Sequence, residues 1–339
     1  MKSLQKRLWE NKKTVSLFLF AILSCIASFL IGICVGSTRI SLSDLLRAAA
    51  DIGCQTPEGR IFWYVRVPRT LAAILAGGAL SLAGAVTQGA LGNRLASPSV
   101  IGVNAGAGFF VTVASAFGIL GGIRLSLFAF LGALITVMLI YMGTKKWGLS
   151  RGTVILIGVA FNSLLGAASD AVAVLVPDAM AMSTAFRVGD FSSVSRTTLI
   201  SAGIIILLGA AFLLLLSNAF DVLSLGDENA MGLGLRAGTF RAIFLTLAAL
   251  LAGAAVSMAG LLSFVGLLVP HAVRRAFGTG ARRLFPLSFL LGGAFVALCD
   301  TLARALFSPY EIPVGIPMAL IGAPFFILLL VKGRREENA

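Results

Sequence analysis

Runs of about 20 apolar residues, broken by short polar connections, follow one another along the whole chain, and a run of that length crosses a bilayer as a helix. Only a helix or a closed barrel satisfies its backbone polar groups inside lipid, so this alternation restricts the fold more than any other feature. Ten such runs can be read: residues 14–36, 66–91, 98–120, 123–143, 152–176, 197–217, 239–258, 260–277, 284–307 and 317–331. Hydrophobic residues make up 58% of the chain and charged residues 12%, too apolar a balance for a soluble globular domain. The expected fold is an all-α polytopic membrane protein of about ten transmembrane helices, a single membrane domain over residues 1–339.

An even number of spans places both termini on one side, and the basic residues choose which. With a cytoplasmic N-terminus, 18 of the 27 Lys and Arg fall in inner connections or tails, which predicts both termini in the cytoplasm. The first run is too long for a signal-peptide core and lacks a convincing cleavage site, so it reads as an uncleaved span. The net charge of +13 is spread over short connections, with no stripe or motif that would grip nucleic acid. Of four cysteines, Cys25, Cys34 and Cys299 lie in spans and Cys54 in a loop; a Cys34–Cys54 bond is less expected than free thiols. A single histidine, His271, excludes an HExxH metal site, and no metal site is expected. No GxxxxGK[ST] loop occurs, so any ATP would have to be hydrolysed by another chain.

One polar stretch, residues 222–238 (VLSLGDENAMGLGLRAG), interrupts the apolar pattern. Asp227, Glu228 and Asn229 in succession are too costly for the hydrocarbon core, so the stretch belongs in water or against another protein. Leu223, Leu225, Ala230, Met231, Leu233 and Leu235 still supply enough apolar residues for one helical face that a partner could cover. Within the spans, Gly77, Ser81 and Ala85 recur every fourth residue and favour close helix packing. Gly158, Asn162, Gly166 and Asp170 do the same in the fifth span. That small polar face fits either tight packing, with Asn162 bonded to a neighbour, or the lining of a pathway through Asn162, Gly166 and Asp170. Pro270 leaves the Gly266 carbonyl without its helical partner, and His271 beside it reads as a structural group.

Several separated motifs share a common resemblance. Residues 66–108 read RVPRTLAAILAGGALSLAGAVTQGALGNRLASPSVIGVNAGAG, the fifth span contains LIGVAFNSLLGA, and the polar stretch contains LGDENAMGLG. FVGLLVPHAVRRAFG follows at 264–278, then CDTLAR at 299–304 and EIPVGIPMALIGAPFFILLL at 311–330. In this order they resemble the permease subunits of type II ABC importers for iron-siderophore, haem and cobalamin. The chain departs from the usual pattern at Arg94, where the family has proline, at Asp227, where it has glutamate, and in FRVGDFSS at 186–193.

The resemblance implies a dimer of permeases, made of two copies or of close relatives. Two ATPase subunits, which use ATP and Mg, dock from the cytoplasm, and a binding protein delivers the ligand from outside. The permease itself is no enzyme and binds no cofactor. By the same resemblance Leu225, Gly226, Asp227, Glu228, Ala230, Leu233 and Gly234 seat the ATPase. Arg66, Arg69 and Arg304 would pair with acidic residues of the binding protein, while Glu311, beside Pro313 and Gly315, reads as outer-loop structure first and as a contact with that protein second. Two other uses stay open for these arginines, since Arg304 sits four residues after Asp300 and outer arginines also anchor helix ends. The expected function is inward transport of an iron-siderophore, or of haem or cobalamin, across a bacterial cytoplasmic membrane. An ion-coupled secondary transporter is the alternative, and it would need ionisable groups at mid-membrane.

Overall fold

The computed structural model describes residues 2–38, 40–119, 122–146, 151–278 and 280–337. Every regular element among them is helical. In chain order they are α1 (Lys2–Cys34), α2 (Leu42–Ala50) and α3 (Pro57–Arg60), which runs through a π-helical stretch (Ile61–Arg66) into α4 (Val67–Leu91). Then come α5 (Val103–Ala116), α6 (Gly122–Lys146), α7 (Arg151–Leu175), α8 (Pro177–Val188) and α9 (Arg196–Leu215). The short pair α10 (Ser217–Ser224) and α11 (Asp227–Gly232) follows, then α12 (Ala237–Ala259), α13 (Val265–Phe277), α14 (Ala281–Ala305) and α15 (Gly315–Glu337).

Among the described residues seven helical runs are long and apolar enough to cross a membrane: α1, residues 57–91, α6, α7, α9, α12 and α14. Two of the other three expected spans are shorter as helices. In place of one helix over 98–120, residues 93–102 form a compact turn, and α5 has 14 residues, about 21 Å at 1.5 Å each. The run at 260–277 begins as extended chain, and α13 has 13 residues. The last expected span, 317–331, lies within α15.

The shortening has a backbone cause. Gly102 (φ 93°), Gly260 (φ 68°) and Phe264 (φ 66°) all lie in the left-handed region, which a right-handed helix cannot contain. Such breaks survive at membrane depth only when protein satisfies their polar groups. In the 97–102 turn, the amides of Val100, Ile101, Gly102 and Val103 bond back to carbonyls of Ser97, Ser99 and Pro98. The Asn162 side chain of α7 donates to Ser99 O at 3.0 Å and Val100 O at 3.3 Å. At the second break, Leu261 N donates to Phe186 O at 2.8 Å.

The core is built around α4, whose buried residues run almost unbroken from Pro68 to Leu91. It packs on α14, α12, α13 and α9. Small residues set the spacing: a Cβ at Gly84 would stand 1.9 Å from Gly266 O, and one at Gly77 would stand 2.3 Å from Gly292 O. Close backbone approach replaces the packing that larger side chains supply in water. The Gly266 carbonyl freed by Pro270 accepts the Gln88 Nε2 of α4 at 3.0 Å. Gln88 Oε1 in turn accepts from Arg274 Nη1, whose Nη2 bonds Ala85 O at 2.8 Å, so polar groups stitch the α4–α13 seam.

Candidate functional site

Arg69 and Ala90 are 21 helical steps apart on α4, about 32 Å along the helix and close to the thickness of a hydrocarbon core. Charged groups gather at both ends.

At the Arg69 end three arginines and three carboxylates meet. Arg69 donates to Asp300 Oδ1 from Nε at 3.1 Å and Nη2 at 3.0 Å, and its Nη1 reaches Glu311 Oε2 at 2.5 Å. Asp190 Oδ1 stands 3.8 Å from the same guanidinium. Arg304 Nε lies 3.0 Å from Asp300 Oδ2. That contact is ionic, with no hydrogen bond on Oδ2, because the N–H is directed toward the Asp300 main-chain carbonyl at 3.4 Å. Arg304 also donates to Gly32 O and Val35 O at 3.1 Å each, while Arg66 donates to Ile33 O, Cys34 O and Thr38 O. The carbonyls of residues 32–34 belong to the last turn of α1, where the chain leaves acceptors without helical partners and the dipole favours a cation. One cluster thus ties together α1, α4, α14 and the connections carrying Asp190 and Glu311.

Of the uses expected for Arg66, Arg69 and Arg304, docking to an external protein or service within the chain, this geometry displays the internal one. The three arginines are 2%, 5% and 3% exposed, so the cluster consumes them internally. Burying a guanidinium is costly unless it is paired, and here each arginine has carboxylates or helix-end carbonyls around it. Glu311 is the accessible edge, with its side chain 31% exposed. Burial pushes its carboxyl up, but the Ser37 hydroxyl and the Arg69 guanidinium outweigh that and hold it below the ordinary glutamate value. Asp190 was noted in the sequence only as part of a departing motif; its place depends on the Asp190 N to Ala259 O bond, which no local pattern announces.

At the Ala90 end lies the helix pair α10–α11. α10 is anchored: Phe220 (2% exposed) packs edge-on against Phe244 and Phe285 at ring distances of 5.2 and 4.9 Å, and a Cβ on Gly89 would collide with it. Asp221 Oδ1 accepts the Ala281 amide at 2.8 Å, capping α14. α11 is the outer member, entered through Gly226 (φ 105°) and left through Gly234 (φ 82°), conformations that favour glycine. Of the expected ATPase-seating residues, Ala230 is fully buried and holds α11 to the body. Asp227 is turned inward to Arg241 of α12, whose Nε bonds Ala90 O at 3.1 Å. Glu228, Leu225 (58% exposed) and Leu233 (66%) remain open, as does Met231 (59%).

The polar face of α7 divides. Gly158 abuts Val100 O and Asn162 holds the 97–102 turn, so Asn162 serves packing. Gly166 has open space around it, and the exposed Asp170 pairs with Arg187 of α8 at 3.3 Å. All four cysteines are free, and among the described residues no three His, Cys, Asp or Glu side chains converge as a metal site would require.

The arrangement has known counterparts. The FecCD transport family profile matches residues 23–332. The chain is 34% identical to the Fe(3+)-citrate import system permease protein YfmD of Bacillus subtilis, covering 96% of this chain and 97% of that one. It is 38% identical to the cobalamin import system permease protein BtuC of Halobacterium salinarum, over 83% of this chain and 77% of that one. A solved metal-chelate type ABC transporter in an inward-facing conformation superposes with a TM-score of 0.82 at 30% identity, covering 95% of this chain and 99% of its own. The helical bundle, the helix pair at one end and the matches over nearly the full length agree, and the chain belongs to the FecCD transport family of ABC importer permeases.

Proposed function

We propose that this permease, working as a pair, carries a metal chelate inward by ATP-driven alternating access, with an iron-siderophore as the favoured cargo and haem or cobalamin as the others. Its place is a bacterial cytoplasmic membrane, with ten crossings and both termini in the cytoplasm. The short helices α5 and α13 then complete their crossings through the extended or turning segments that flank them. This orientation puts the Ala90 end in the cytoplasm, with Arg94, Arg236, Arg241, Arg274 and Arg275 near it, as the positive-inside rule favours.

The carrying observation is the face of α11. Met231 on α11, and Leu225 and Leu233 in the turns at its two ends, are exposed at a charged end of the bundle, and Ala230 and the anchored α10 brace the helix from behind. An accessible apolar patch rimmed by charge is what a docked partner covers. The partner is an ATPase subunit that binds and hydrolyses Mg-ATP, since this chain carries no phosphate-binding loop. At the other end an external binding protein settles over the rim formed by Glu311 and its neighbours, with Arg66, Arg69 and Arg304 shaping that rim from beneath. Gly166 and Asp170 on the open side of α7 are the residues assigned to the pathway. Asn162 supports them by fixing the adjoining turn.

The test is reconstitution of the permease with candidate ATPase and binding protein, followed by uptake assays with a panel of ferric siderophores, ferric citrate, haem and cobalamin. Leu233→Asp should abolish co-purification with the ATPase while leaving membrane insertion intact. Uptake that continues without the ATPase and collapses with an uncoupler would establish the ion-coupled alternative instead.

A further inference from the structure

Asp227 and Arg241 are among the residues that the bundle places between α11 and the end of α4. We propose that Arg241 is the positioning residue that transmits displacement of α11 to α4, by bridging the Asp227 carboxylate and the Ala90 carbonyl with one guanidinium. The inference deepens the ATP-driven function proposed above and rests on it.

Four observations converge. First, α11 lies between Gly226 and Gly234, both at positive φ with nothing within 4 Å of a built Cβ, so neither turn packs α11 against α4. A stiff link has to come from side chains. Second, Arg241 supplies one with a side chain only 16% exposed: Nη2 contacts Asp227 Oδ1, and Nε bonds Ala90 O at 3.1 Å. Third, Ala90 belongs to the last turn of α4, where Gly92 adopts the left-handed cap conformation (φ 62°). The final carbonyls of a helix have no partner within it, and the dipole there favours a cation. Fourth, α4 is the central rod of the bundle, running from Ala90 to Arg69 at the far cluster. Any tilt or axial shift imposed at Ala90 therefore reaches the contacts of Asp300, Glu311 and Asp190 at the other membrane face.

The chemistry requires an arginine. A planar guanidinium presents donors in two directions at once, so a single head holds a carboxylate and a carbonyl together. Lysine at 241 keeps the charge and can hold either partner, but it lacks the fork that holds both in fixed geometry.

The experiment uses the full reconstituted complex, with radiolabelled ferric citrate, ferric catecholate or ferric hydroxamate as cargo, whichever the wild type imports. ATPase co-purification, ATP hydrolysis and uptake are measured separately. Arg241→Lys should leave co-purification and hydrolysis within about twofold of wild type while lowering uptake per ATP about fivefold. Asp227→Asn, which removes the charge at the other end of the bridge, should lower uptake per ATP by a similar factor. The double substitution should fall no lower than the worse single one, because both break the same link. Unchanged uptake per ATP in Arg241→Lys, a parallel loss of hydrolysis and uptake, or multiplying effects in the double variant would each overturn the assignment. A wild-type complex whose uptake does not depend on ATP would overturn the proposed function and this inference with it. ATP-dependent wild-type uptake with an indifferent Arg241→Lys would overturn this inference alone.

Discussion

Replacing Asp300 with asparagine tests whether the buried charge cluster holds the outer ends of the bundle together. Asp300 is 0% exposed and faces two guanidinium groups, Arg69 through two hydrogen bonds and Arg304 through an ionic contact. Asparagine preserves the volume but removes the charge and can turn an N–H toward donors that need an acceptor. Breaking a buried ion pair from one side costs about 3–5 kcal/mol. Arg69 keeps Glu311, and Arg304 keeps the carbonyls of Gly32 and Val35, so the loss belongs at the low end, about 3 kcal/mol. That corresponds to a drop of roughly 150-fold in the folded-to-unfolded ratio. Equilibrium unfolding of the purified permease in mixed detergent micelles measures it directly. A double-substitution cycle with Arg69→Gln should show coupling above about 1 kcal/mol, since the two groups share hydrogen bonds. A cost below about 1 kcal/mol for Asp300→Asn, or additivity within about 0.5 kcal/mol, would refute a central role for the cluster.

Other expectations follow from the same geometry. Gly84→Val should prevent stable folding, because its Cβ would stand 1.9 Å from Gly266 O; Gly166→Ala, with open space, should leave thermal stability in detergent unchanged or slightly raised. Gln88→Leu orphans the Gly266 carbonyl and leaves Arg274 with the Ala85 carbonyl but without its side-chain acceptor, and should cost about 1–3 kcal/mol in the same unfolding assay. The Glu311 carboxyl is held below its ordinary value, so its contribution is present in full above about pH 4.3, the usual glutamate value, and fades as pH falls through the lower folded value. The stability difference between wild type and Glu311→Gln should accordingly stay constant from neutral pH down to about pH 5 and close on further acidification; a difference that peaks in acid would contradict the assignment.

What the sequence revealed and what it concealed divide along the range of the interactions. The polar stretch at 222–238 was legible because three adjacent polar residues break an apolar pattern, and the pair α10–α11 occupies that region. The orphaned Gly266 carbonyl was legible because Pro270 creates it locally, although its partner Gln88 lies 178 residues away. Arg69 and Asp300 are 231 residues apart, and no local pattern announces the pair, so the sequence leaves Arg69 open to an external protein. The i,i+4 spacing of Asp300 and Arg304 was the one local hint of an internal network. Hydropathy also concealed the two backbone breaks. Residues 97–102 and 260–264 are apolar enough to extend a span, and only the positive φ values at Gly102, Gly260 and Phe264 show that the chain turns there.

The burial of the arginines and the close packing of α4 belong to one mechanical design. Helices that touch through glycine, as α4 does with α13 at Gly84–Gly266 and with α14 at Gly77–Gly292, leave no side-chain layer to absorb a shift. Packed interfaces of this kind move as a body or jump between discrete arrangements. Polar stitching by Gln88 and Arg274 at one depth and by Arg69 and Asp300 at another fixes the same helices against sliding. The α4–α13–α14 unit is therefore the stiff part of the protomer. α7 has the opposite character: Leu156, Leu164, Val174 and Leu175 are all more than 60% exposed, and Gly166 opens onto free space. If relative motion opens and closes a pathway as proposed, the stiff unit is the lever and α7 is the surface that it moves against. Such motion would load Asn162 on the 97–102 turn and Asp170–Arg187, where α7 meets the rest of the bundle and α8.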